Sequence, residues 1–347
     1  MLDDIGLIKK IDSKNMIDIM KNFPEQIEDA VTISKGVSIP MLRFRNIVVT
    51  GMGGSAIGGD IMSSWLSSNL DVPIFVNRNY ELPGFADKNT LLFAVSYSGN
   101  TDETVSSFLD GLNKNCNIVS ITSGGRLAEL SVTHKKPLIR IPSGLVPRAA
   151  VAYLLFPMIR VVERQGPIKL NLKEVISIVA SLGKRISPDV DVSSNLAKQI
   201  AIKIDGKTPV IYGHTCYTSI ARRWKTQFNE NSKTLAFYDA IPEIYHNDIV
   251  GWQDDDAINL IPIILRDKNE PEKMKNRIEF IKKNVFKDLI EVWAVGNTTL
   301  SKMLYMLHLG DFVSFYLALL HNVDPTPVEI IERMKKETSS KSHSIPA

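Results

Sequence analysis

Residues 46–60 read NIVVTGMGGSAIGGD and residues 90–104 read TLLFAVSYSGNTDET. In both, an apolar β-type run passes through a loop of Gly, Ser and Thr into a helical pattern, which marks two strand–turn–helix units. The backbone N–H groups of such a turn point outward unpaired and attract an anion. Glycines allow positive φ and close approach to a ligand. Gly54 in the first loop is a candidate phosphate contact, and Ser55, Ser96, Ser98 and Thr101 add short hydroxyl donors that carry no fixed charge. A phosphorylated small molecule is the ligand this pattern implies.

Working outward, further strands are expected over 73–77, 117–122 and 137–141, with a helix over 102–113. Strands alternating with helices, and reading as continuous apolar runs, predict a parallel doubly wound sheet covered on both faces. Residues 1–45 read as one or two helices broken at Pro24 and Pro40, and an apolar helix over 149–163 closes this half. A second round follows, with strands over 208–212, 235–238, 258–265 and 289–295 and helices over 218–229, 271–284 and 300–320. Residues 210–224, VIYGHTCYTSIARRW, begin as residues 48–62, VVTGMGGSAIGGDIM, do, but lack the double glycine. This predicts a degenerate duplication that keeps the fold and has lost the phosphate function. The expected fold class is α/β, with two doubly wound parallel-sheet domains and flanking helices. The expected domains are 1–165 and 166–337, followed by a polar, disordered tail over 338–347.

The chain has 347 residues, 41 Lys and Arg against 38 Asp and Glu, and a net charge of +3. Such a balance supplies no field for nucleic acid or an anionic membrane surface, so neither is an expected partner. Two cysteines, Cys116 and Cys216, give no disulfide framework, and no stretch reaches the roughly 18 uninterrupted apolar residues of a membrane span. A cytoplasmic enzyme is the expectation.

Gly51, Gly53 and Ala56 also satisfy G-x-G-x-x-G/A, so a dinucleotide turn competes with the phosphosugar reading. Arg78, at the tip of the second strand, would then serve a 2′-phosphate in an NADP-dependent oxidoreductase. The second loop argues otherwise, because Ser96, Ser98 and Thr101 form another anion cradle that a dinucleotide fold does not need.

These two loops, together with PSGLVPRAA (142–150), NEN (229–231), YHND (245–248) and DPTPVEIIERMKK (324–336), resemble the bifunctional phosphoglucose/phosphomannose isomerases of the sugar isomerase (SIS) superfamily. The resemblance covers residues 40–336. It implies metal-independent, cofactor-free interconversion of glucose 6-phosphate and mannose 6-phosphate with fructose 6-phosphate. By the same resemblance Glu230 is the base that moves a proton between C1 and C2, and His246 opens the sugar ring. In this family that histidine comes from the partner subunit, so a homodimer is implied. Arg148 would lie by the sugar oxygens, Lys335 (or Lys336) would be the active-site lysine, and Thr326 would leave room for rotation about C2–C3. A non-catalytic sugar-phosphate-binding regulator would keep Ser55, Ser98 and Thr101 but would not need Glu230 or His246. His214, His308 and His321 read as structural or surface-exposed. Asp248 and Asp254–Asp256 near His246 lack a tight ligand spacing, so no metal is expected there.

Overall fold

The computed structural model describes residues 1–39, 41, 43–166, 168–252 and 259–339. Among these, nine strands form two wholly parallel sheets. The first contains β1 (Asn46–Thr50), β2 (Ile74–Asn77), β3 (Thr90–Val95), β4 (Asn117–Thr122) and β5 (Leu138–Arg140), in the order β2-β1-β3-β4-β5. The second contains β6 (Thr208–His214), β7 (Phe237–Ile241), β8 (Leu260–Arg266) and β9 (Ile290–Trp293), in the order β7-β6-β8-β9. The order of the first four strands is thus repeated, which agrees with the duplication read from the sequence. In each sheet the direction of winding reverses between the first and third strand, at β1/β3 and β6/β8. Ligands of open α/β sheets settle beyond the carboxyl ends of the strands at such switch points.

Strand residues divide cleanly between faces. Ile47, Val49, Leu91, Phe93 and Val95 join a large core that also holds Ile211, Ile263 and Leu265 of the second sheet. Val48, Leu92 and Ala94 point the other way into a smaller cluster closed by Phe108 and Leu127. The inner faces of both sheets therefore share one apolar interior, which contains the helices Val151–Gln165 and Thr299–Leu320. The latter is long and apolar enough to cross a membrane, but 94% of its most apolar window is buried inside the protein. At Gly310 a Cβ would stand 2.1 Å from the Trp224 indole nitrogen, so a glycine in this helix is a packing requirement.

Some boundaries differ from the sequence reading. The N-terminal segment forms three helices, Ile5–Ile11, Met16–Lys21 and Phe23–Lys35. Pro24 lies in the first turn of the third, where its missing N–H costs nothing, so it starts a helix instead of breaking one. β7 begins two residues later than expected. Helix Glu329–Ser339 runs through residues assigned to the tail, and residues 340–347 lie outside the described set.

His308 is fully buried, stacked on Phe23 and edge-on to Phe312, and burial lowers its pKa from 6.5 to about 3. Below pH 6.5 the unfolded chain takes up a proton that the fold refuses, so this group removes stability as pH falls towards 3. We expect the stability lost between pH 7 and pH 5, measured by urea denaturation, to be smaller by about 2 kcal/mol in His308→Leu than in the wild type. Equal losses would show that the folded protein takes up a proton at His308 as readily as the unfolded chain does.

Candidate active site

The two glycine and serine loops face each other across the β1/β3 switch point. A Cβ on Gly51 would lie 2.9 Å from the Val95 carbonyl, and Gly53 turns the chain at φ +50°. Ser55 Oγ accepts a hydrogen bond of 3.2 Å from the Tyr97 N–H, which ties one loop to the other. Ser96 is buried; its Oγ accepts from the Gly99 N–H at 3.1 Å and lies 2.9 Å from Thr101 Oγ1. Ser96 therefore shapes the cradle from within. Ser98 is exposed, its Oγ accepting from the Asn100 N–H at 3.2 Å, and Thr101 takes the N-cap position of helix Asp102–Asn113 without capping it, so each hydroxyl has one partner and retains capacity for another hydrogen bond. Helices Gly54–Leu66 and Asp102–Asn113 aim their N-termini, the positive ends of their dipoles, at this space.

A third loop, Ser123–Gly125 after β4, completes the support. Gly99, at φ +73°, has no room for a Cβ beside the Gly124 carbonyl, and Asn100 Oδ1 accepts from the Arg126 N–H at 2.9 Å. The sequence reading missed this loop, although its signal, Ser-Gly-Gly directly after a strand, was visible.

Gly54 connects the first of these loops to Arg148. A Cβ there would be 2.9 Å from the Pro147 carbonyl and 3.1 Å from Arg148 Cα, so the first helix starts in direct contact with the turn Pro147–Ala149. Arg148 is buried. Its Nε donates to Asn231 Oδ1 (2.6 Å), NH2 donates to the carbonyls of Pro325 (2.6 Å) and Thr326 (2.8 Å), and NH1 lies 3.4 Å from Glu230 Oε2. Of five guanidinium donors, one N–H on NH1 is left for a ligand. Burial lowers the Arg148 pKa, opposed by the Glu230 charge. Behind it, Arg223 grips Asp311 through Nε (3.0 Å) and NH2 (2.7 Å) and also donates to the Arg148 carbonyl (2.9 Å). Asn231 in turn donates to Ser314 Oγ (2.9 Å).

Glu230 belongs to a π turn, Phe228–Ser232, where the expected helix over 218–229 leaves α geometry after Gln227. Wide turns of this kind recur at functional sites because they displace side chains from the helical register. Lys233 follows in the left-handed region (φ +55°) and donates to the carbonyls of Glu230 (2.6 Å) and Pro327 (2.7 Å). Burial and the Arg148 charge lower its pKa. Arg148 and Lys233 thus hold the segment Pro325–Pro327 from two sides. Thr326, within it, keeps a buried Oγ1 that has no hydrogen-bond partner among the described residues. A cavity of about 640 Å³ opens here, lined among others by Asn229, Glu230, Lys233, Asp324, Pro327 and Ile331.

The remaining expected residues lie elsewhere. His246 is exposed at the end of the turn Glu243–His246 beyond β7, and the hydrogen bonds of Glu230 and Arg148 do not include it. Lys335 stands about one turn beyond Glu329–Ile331, the part of its helix that lines the cavity. Asp254–Asp256 fall outside the described residues. Arg78 is bonded to Asp60, so it is already committed and is not a ready partner for a 2′-phosphate. Lys233, Asn231 and Asp311 were not singled out from the sequence; the first two sit in the stretch QFNENSK (227–233) but look there like ordinary helix-end polar residues.

Known proteins resemble this chain along most of its length. Residues 193–338 match the family described as bacterial phospho-glucose isomerase C-terminal SIS domain, and residues 41–135 match the SIS domain. The bifunctional phosphoglucose/phosphomannose isomerase of Caldicellulosiruptor bescii is 38% identical over 334 residues, covering 93% of this chain and 98% of that protein. The protein of the same name from Thermoplasma acidophilum is 40% identical over 296 residues, covering 85% of this chain and 90% of that one. In fold, the chain is similar to the crystal structure of a hypothetical protein from Thermus thermophilus, with a TM-score of 0.75, 13% identity and coverage of 98% and 93%.

Replacing Lys233 by Met removes the bonds that pin Pro325–Pro327 to the π turn. Backbone hydrogen exchange over residues 324–331 should quicken while β1, β3 and β6 keep their protection. Unchanged exchange in that segment would mean that Arg148 alone holds it.

Proposed function

The chain belongs to the bifunctional phosphoglucose/phosphomannose isomerase family, and we propose that the site between the cradle and Glu230 converts glucose 6-phosphate and mannose 6-phosphate reversibly to fructose 6-phosphate. The observation that carries this reading is the continuous wall from the anion cradle, through the contact of Gly54 with Pro147 and Arg148, to the Glu230 carboxylate. A phosphate held by Ser55, Ser98, Thr101 and the two helix N-termini leaves the sugar chain to extend along that wall.

Aldose–ketose exchange needs one group that takes the proton from C2 and returns it to C1 of a cis-enediol. Glu230 supplies that carboxylate. Negative charge that develops on the enediolate oxygens faces the remaining N–H of Arg148, a cation already fixed in place before reaction. The unpartnered Thr326 hydroxyl would meet a substrate hydroxyl, and its small size allows rotation about C2–C3, which admits both C2 epimers. Lys335 keeps a place in this reading by family resemblance alone.

Ring opening requires a proton to move between O5 and O1, and His246 suits that role because imidazole both gives and takes a proton near neutral pH. Its exposure supports its delivery to the site of a second copy. β7 is a sheet edge, with Phe237 on it and Leu235 and Val250 exposed nearby, an apolar rim that a homodimer would cover. The division into units 1–165 and 166–337 is part of the same reading, each with one sheet. So is a cytoplasmic setting: Cys116 and Cys216 are free, and burial pushes both thiols up to about 11.

A coupled assay of fructose 6-phosphate formation, with EDTA present, should show turnover of both aldose phosphates. Glu230→Gln should bind substrate with little change yet lose about 10²–10⁴-fold in kcat; activity within tenfold of wild type would remove Glu230 from the mechanism. Mixing inactive Glu230→Gln with inactive His246→Ala should restore activity, because a mixed dimer contains one site with both groups intact. Failure of the mixture to recover, with dimer exchange verified, would place His246 in its own subunit's site.

A further inference from the structure

The turn after β6 aligns with the turn after β1, and Thr215 occupies the position of Gly53. Both residues have positive φ, +46° and +50°. For a β-branched residue that geometry is costly, and it persists only where the surroundings impose it. Gly213, aligned with Gly51, has no room for a Cβ either, with the Tyr217 carbonyl 2.3 Å away. The second switch point therefore keeps the backbone of the cradle although its glycine pair is gone.

A cavity of about 340 Å³ lies there, lined among others by Thr215, Asp267, Glu270 and Lys302, with Trp65 and Asn69 from the end of the first cradle's helix. His214, also in the lining, has a side chain only 4% exposed. Its Nδ1 is 3.1 Å from Thr215 Oγ1, while Nε2 is buried without a hydrogen-bond partner among the described residues, turned towards the Glu270 carboxylate at 3.8 Å. A buried, unsatisfied ring nitrogen is uncommon and marks a place where a partner belongs.

The chemistry differs from the first cradle. β3 is followed by Ser96, whereas β8 is followed by Asp267, with Glu270 three residues on. Lys302 donates to both Asp267 oxygens, at 2.8 and 3.1 Å, and Arg266 is bonded to Glu270, Glu279 and Glu291. These two cations are spent on carboxylates, so neither is left to hold a phosphate. The Asp267 oxygens already accept from Lys302, Tyr217 and the Asn269 N–H, and those of Glu270 from Arg266. The groups left are the His214 ring nitrogen and the exposed amides of Asn269 and Asn297, which suit hydroxyl groups that both donate and accept, while Trp65 offers an apolar surface to C–H groups. We propose that this second switch point binds a neutral polyhydroxylated small molecule, a sugar or polyol without phosphate, at a site separate from the cavity at Glu230.

The test is NMR of protein labelled with ¹⁵N-histidine, the His214 signal being assigned with His214→Gln, during titration with D-glucose, D-mannose and sorbitol to tens of millimolar. The His214 signal should shift saturably with at least one of the three, unchanged in Glu230→Gln, and should not respond to inorganic phosphate. The double variant Asn269→Ala/Asn297→Ala, altered only at exposed positions, should raise the half-saturation concentration about tenfold. The proposal is overturned by a static His214 signal with all three probes, by equal half-saturation in the double variant, by a shift driven by phosphate, or by a shift abolished in Glu230→Gln. None of these outcomes bears on isomerase activity, which the coupled assay measures separately.

Discussion

A buried guanidinium sets the terms for the rest of this structure. Taking the Arg148 charge out of water costs several kcal/mol, which must be offset by near-complete hydrogen bonding. Asn231, Glu230 and the Pro325 and Thr326 carbonyls meet that requirement, and they come from two distant parts of the second half of the chain. The first half supplies the arginine and, through Gly54, rests its anion cradle against the arginine's own backbone. Arg223 and Asp311 form a second buried pair behind it, in which burial raises the Asp311 pKa and the arginine opposes the rise. The two halves are therefore joined both by a shared apolar interior and by a polar tie that would be costly to leave half made.

Much of this was legible before the fold was known. Continuous apolar runs such as Leu91–Val95, followed by turn residues, read as strands covered on both faces, and the loops after β1 and β3 announce themselves through glycines whose missing Cβ atoms the packing requires. Glu230 and Arg148 were placed by resemblance, and the structure brings them together. What the sequence could not show depends on long-range closure. Lys233 reads as one more charged residue at a helix end until its side chain reaches the Pro327 carbonyl. The π turn has no compositional mark either; its Asn231 is bonded to Ser314 of helix Thr299–Leu320, a contact far away in sequence. Pro24 misled because proline breaks helix interiors but opens first turns, and only the neighbouring chain decides which applies.

The two switch points show what duplication leaves free to change. Strand order and backbone turn are retained, because altering them would disturb packing on both sheet faces. The side chains presented at the turn are under no such constraint: hydroxyls stand at one switch point, while carboxylates paired with Lys302 and Arg266 stand at the other. Chemistry has diverged where the fold does not supervise it.

The segment Pro325–Pro327 is held through its main chain, since Arg148 and Lys233 bond carbonyl oxygens that every amino acid possesses. The side chain between the prolines can therefore vary without loosening the segment. On the proposed reading of the site, an inherited change at Thr326 would alter the surface met by the sugar while the anchoring contacts remain, so selectivity could drift by single substitutions at no cost to the architecture.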